Sequence, residues 1–73
     1  MMEHIHEATV GKREEWYIFR FRTSETQAML RVVGRYASDP NREFNWYDAA
    51  AICRQIRAIE ARREAAAART RHG

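Results

Sequence analysis

The run Trp16-Tyr17-Ile18-Phe19-Arg20-Phe21-Arg22 is followed at once by Thr23-Ser24-Glu25-Thr26-Gln27, and between the two the hydrophobic period changes from that of a strand to that of a helix. Along the aromatic run, Tyr17, Phe19 and Phe21 share a strand face, and Trp16, Ile18, Arg20 and Arg22 share the other. The aromatic face is expected to be core. The second face is apolar at its start and cationic at its end, as for a strand half covered by another element. In the polar run Ser24, with Gln27 three residues on, has the pattern of a capping box, which starts a helix over about residues 25–37.

On that helix Met29, Val32, Val33 and Tyr36 fall on one stripe, with Ala28, Leu30 and Ala37 at its margins. Arg31 and Arg35 fall on the opposite face, towards solvent or a ligand. Ala37-Ser38-Asp39-Pro40-Asn41 ends the helix, because Pro40 cannot continue it and biases Asp39 towards extended backbone. A second helix is capped by Asn45, with Asp48 at its third position near the positive end of the helix dipole. Its apolar stripe, Ala49, Ile52, Cys53, Ile56 and Ile59, is the strongest periodic signal in the chain. Arg63 is charged where the stripe would continue, so packing is expected to stop near residue 60. The helix itself can run on through the helix-favouring Glu64-Ala65-Ala66-Ala67-Ala68.

Upstream, residues 1–13 alternate weakly, with Ile5, Ala8 and Val10 among polar neighbours, and Gly11-Lys12 offers a turn. They read as a weakly ordered N-terminus or as a first hairpin strand over residues 3–10. The expected fold class is α+β: a short β-hairpin, or a single aromatic strand paired with its copy in a dimer, followed by two antiparallel α-helices on a small single-layer core. The folded strand-helix-helix domain spans residues 14–60. Residues 61–73 form a polar helical extension whose tail frays from Arg69.

Hydrophobic residues are 45% of the 73, but twelve are alanine and only nine are Ile, Leu or Val, so the core must lean on aromatics. A chain of this size retains roughly 3–5 kcal/mol of net stability from one core unless something supplements it. With a single cysteine, Cys53, no disulfide can form within the chain. His4, His6 and His72 sit at the two ends without companion cysteines at metal spacing, so no metal site is expected. Self-association is the support left by elimination. The lack of paired cysteines, of an apolar run of about 18 residues and of an apolar leader at Glu3, His4, His6 and Glu7 makes the cytoplasm the expected compartment.

No catalytic arrangement is legible. Residues 16–59 contain no histidine, Cys53 lies on an apolar stripe where a thiol behaves as a small hydrophobe, and Asp39 and Asp48 have helix-stop and helix-cap roles. Gly11, Gly34 and Gly73 are too scattered to cradle a phosphate, and no cofactor or small-molecule substrate is implied. Of the aromatic cluster Phe44, Trp46 and Tyr47, the first two are expected in the core, and Tyr47 falls on the polar side with Arg54. The net charge is +3, and the cations are twelve Arg against Lys12 alone. Seven of those Arg lie in residues 16–59 beside four acids, so the basic excess belongs to the folded segment and its tail.

A strand with exposed arginines followed by two amphipathic helices resembles the layout of ribbon-helix-helix repressors, dimers that lay a paired strand in the DNA major groove. That resemblance covers residues 16–59 and implies that Ile18, Arg20 and Arg22 face base edges and that Asn45 lies near a phosphate. The connection from Ser38 to Phe44 is longer than that family's turn, and an upstream hairpin strand would take the edge a dimer needs. The expected function is a non-enzymatic binding module for protein interaction or homodimerisation. The alternative is a basic nucleic-acid-binding domain. Both draw their contacts from Arg20, Arg22, Arg31, Arg35, Asn45, Tyr47, Arg54 and Arg57.

Overall fold

The computed structural model describes residues 4–71, with side chains to residue 68. Strand β1 spans Ile5–Lys12 and strand β2 Glu15–Arg22; a short 3-10 turn at Thr23–Glu25 leads into helix α1, Thr26–Ser38, and helix α2 runs Trp46–Arg71. The strands form one antiparallel hairpin in which Val10 faces Tyr17, Ala8 faces Phe19 and His6 faces Phe21. The fold is therefore the hairpin form of the α+β expectation, with β2 paired inside its own chain. Residue 3 of the expected first strand and residues 72–73 of the tail, including His72, lie outside the described residues. The backbone of α2 is helical to Arg71.

The turn falls two residues later than Gly11-Lys12, at Arg13 and Glu14, because β2 begins at Glu15. Arg13 carries φ of 52°, the left-handed side that two-residue hairpin loops require at their first position. Gly11 stays inside β1 opposite Trp16, and a Cβ there would lie 3.0 Å from the indole, so the glycine is the seat on which Trp16 rests.

The helices lie antiparallel on one face of the hairpin. At one end Tyr36 of α1 meets Phe44 just before α2, and at the other the Thr26 hydroxyl donates to Glu60 Oε2 at 2.9 Å. Between the layers sits a core of Ala8, Phe19, Phe21, Val33, Phe44, Ala49, Ile52 and Ile56, flanked by Val10, Tyr17, Met29, Val32, Tyr36, Cys53 and Ile59. Four rings, Tyr17, Phe19, Tyr36 and Phe44, pack edge to face with centroids 5.1–6.4 Å apart, the geometry that aromatic quadrupoles favour. The strand face and helix stripes read from the sequence are thus the core.

Three details differ from expectation. Trp46 is 62% exposed, because Phe44 from the preceding loop fills the core space at the start of α2. The capping contact before α1 belongs to the 3-10 turn, where Glu25 Oε1 accepts the Arg22 N–H at 2.7 Å, and α1 begins at Thr26 with no side-chain cap bond from Glu25, its N-cap residue. The outer face of β2 is not covered by another element, for Trp16 is 71% and Ile18 52% exposed.

Candidate interaction surface

Backbone parity divides the two edges of the hairpin. The two-residue loop makes Lys12–Glu15 a hydrogen-bonded pair, so Val10–Tyr17, Ala8–Phe19 and His6–Phe21 are bonded pairs too. The N–H and C=O of the intervening residues point outward, away from the partner strand. On β1 these belong to Ile5, Glu7, Thr9 and Gly11, and α2 covers that edge at Thr9. Thr9 N–H donates to Gln55 Oε1 at 2.9 Å, and Gln55 Nε2 donates to Thr9 O at 2.8 Å, so one side-chain amide stands in for a neighbouring strand.

The β2 edge has no such cover. Among the described residues no hydrogen bond reaches the outward N–H and C=O groups of Trp16, Ile18 and Arg20, whereas the Arg22 N–H is closed by Glu25. An open strand edge is a template for pairing with another chain. Beside it, the outer face of the sheet presents Ile5, Trp16 and Ile18, all more than half exposed, with Arg20 and Arg22. Arg20 Nε binds Glu7 Oε2 at 2.7 Å across the hairpin, so some of the strand's positive charge is already neutralised.

The remaining candidate residues lie elsewhere. Arg31 and Arg35 line a shallow groove beside the end of α1 with Gly34, Ser38, Asp39 and Trp46. Arg54 and Arg57 are exposed on α2, and Tyr47 projects from its first turn at 87% exposure. Asn45 is engaged as a cap: its Oδ1 accepts the Asp48 N–H, and Asp48 Oδ2 accepts the Asn45 N–H, each at 3.0 Å. The buried Asp48 carboxylate also holds Lys12 Nζ at 3.0 Å, so a negative charge already occupies the N-terminus of α2. The candidate arginines therefore spread over the sheet, α1 and α2.

His6 faces inward, its Nε2 2.9 Å from the Thr23 hydroxyl and its ring beside Phe21. Among the described residues no three His, Cys, Asp or Glu side chains gather in a metal-binding group. Tyr17 holds its proton more firmly than an ordinary tyrosine, chiefly because burial disfavours the phenolate and also because its hydroxyl donates to the Glu15 carboxylate at 3.3 Å. No helix among the described residues is long and apolar enough to cross a membrane. Compared with known protein families, curated proteins and solved structures, the chain matches none.

Sequence reasoning misses Gln55 as an edge cover and Thr26–Glu60 as the bond between the helices. A glutamine between two isoleucines' turns, at a position half inside the apolar stripe, is the signal available for the first.

Proposed function

We propose that this chain is a non-enzymatic binding module that works by associating with protein through the outer edge and face of β2. The observation that carries this reading is the contrast between the two edges: Gln55 covers the middle of β1 at Thr9, while Trp16, Ile18 and Arg20 leave three successive outward positions of β2 unpaired. Strand addition draws its affinity from main-chain bonds and its selectivity from alternate side chains. Both are on offer, with Trp16 and Ile18 providing the apolar contact. Association also supplies the support that a core built on four rings and few aliphatics needs at this length.

The alternative, a nucleic-acid-binding domain using strand and helix arginines, is the weaker reading. Arg20 is paired with Glu7, Asn45 is occupied by Asp48, and Arg31 and Arg35 lie on a different element from Arg22. Light scattering over a concentration series, with duplex DNA titrated at low salt, separates the two readings. Mass above that of one chain, lost in Ile18→Lys while the circular dichroism spectrum is kept, supports association through β2. A single-chain mass together with DNA binding that weakens steeply as salt rises overturns it in favour of phosphate contacts.

A further inference from the structure

We infer that the occupant of the β2 edge is a second copy of this chain, joined β2 to β2 in antiparallel register about a two-fold axis at Ile18; the inference rests on the edge being the association surface. The open run fixes the centre. Trp16, Ile18 and Arg20 are unpaired on this side, and the next outward group, the Arg22 N–H, is taken by Glu25 at 2.7 Å. An isologous pair centred on Ile18 opposes Trp16 to the partner's Arg20, Ile18 to the partner's Ile18 and Arg20 to the partner's Trp16. Every open group is used and none is wasted. Sliding the pair so that its centre falls at Phe19 opposes Trp16 to Arg22, whose N–H is already spent. Sliding it the other way, to Tyr17, leaves Arg20 beyond the end of the opposing strand.

Charge selects the same register. The outer face of β2 carries Arg20 and Arg22 and no acid, and Glu14 stands in the loop just before the strand. Centred on Ile18, the pairing brings Arg20 beside the partner's exposed indole, Trp16, where a guanidinium is attracted to the ring. It also brings Arg22 opposite the partner's Glu14, with both contacts repeated by symmetry. A centre at Arg20 would oppose two guanidinium groups directly. The resulting sheet runs β1-β2-β2-β1, and each outer edge is a β1 edge whose middle residue, Thr9, is taken by Gln55, which interrupts the edge and disfavours addition of a further strand.

The test is residue-specific cross-linking of the full chain with Cys53→Ser as background and a short bifunctional thiol reagent. Ile18→Cys should cross-link efficiently, its Cα standing about 5.5 Å from its copy in a hydrogen-bonded pair. Trp16→Cys should not, since four residues of strand separate the two copies by about 13 Å. A charge exchange gives a second readout. Glu14→Lys should weaken the dimer by about 3- to 10-fold, from two symmetric surface ion pairs lost, and Glu14→Lys with Arg22→Glu should restore it. A dimer in which Trp16→Cys cross-links as well as Ile18→Cys, or in which the charge exchange restores nothing, overturns the Ile18 register while association through protein contacts stands. A single-chain mass at every concentration overturns the self-pairing, while association of the β2 edge with a different protein stands until DNA binding that weakens steeply with salt replaces it.

Discussion

Phe44 is the residue on which the two layers converge, and replacing it is the most severe test of the packing. It is 1% exposed and makes edge-to-face contacts with Tyr17 at 5.1 Å, Phe19 at 5.6 Å and Tyr36 at 6.0 Å. Truncation of a buried phenylalanine to alanine costs about 3–5 kcal/mol, the transfer energy of the ring plus the cavity left behind. That matches the roughly 3–5 kcal/mol a single core of this length retains, so Phe44→Ala should be largely unfolded as a monomer at 25 °C. Phe44→Leu keeps much of the volume and loses the ring-to-ring geometry, at about 0.5–1.5 kcal/mol for each aromatic pair before relaxation. It should remain folded with a clearly lowered midpoint. Urea titration followed by far-ultraviolet circular dichroism, with tyrosine fluorescence as a second probe, reads both variants. A Phe44→Ala midpoint close to that of the parent would mean that Phe44 is not where the layers meet and that the core has been drawn wrongly.

Gln55→Leu should destabilise the chain by about 1–3 kcal/mol, because it strips the Thr9 N–H and C=O of their partner at a half-buried edge; unchanged hydrogen exchange at the Thr9 amide would contradict the edge-cover role. Arg13→Gly should raise stability by up to about 1 kcal/mol, since glycine adopts the left-handed backbone there without a Cβ penalty, and a lowered melting temperature would show that the loop is not strained. Tyr17 should titrate above its ordinary value of 10.0 in the folded chain, by burial first and the Glu15 carboxylate second. Because the folded state favours the protonated phenol, this contribution to stability is full below the unfolded value and is lost as pH rises through the folded one. Ultraviolet titration of tyrosinate should show Glu15→Gln lowering that value, and no change would remove Glu15 as a cause.

The elements legible in the sequence are those written in local periodicity. Tyr17, Phe19 and Phe21 alternate on a strand, and Ile52 and Ile56 recur at helical spacing, so both announce a buried side wherever the chain goes. The turn is harder to place because Gly11-Lys12 looks like a loop, whereas the structure uses the glycine to seat Trp16 and puts Arg13, an unusual residue, at the left-handed position. Trp46 stands on the same stripe as Ala49, Cys53 and Ile56, but the stripe cannot reveal that Phe44 reaches the core first. Gln55 and Thr9 are 46 residues apart, and Thr26 and Glu60 are 34 apart. Such polar pairs have no periodic signature, and only the folded backbone brings them together. The candidate surface is legible in its residues, Arg20 and Arg22 among them, but not in its most informative property. Which strand edge is left open depends on where the amide of Gln55 lands.

The central claim is that the open β2 edge pairs with that of a second copy, and sedimentation equilibrium of the unmodified chain over a wide concentration range at moderate salt addresses it without any substitution. The mass is expected to rise to twice 8.7 kDa and go no further, since Gln55 interrupts each outer β1 edge at Thr9. A mass that stays at one chain throughout would contradict it.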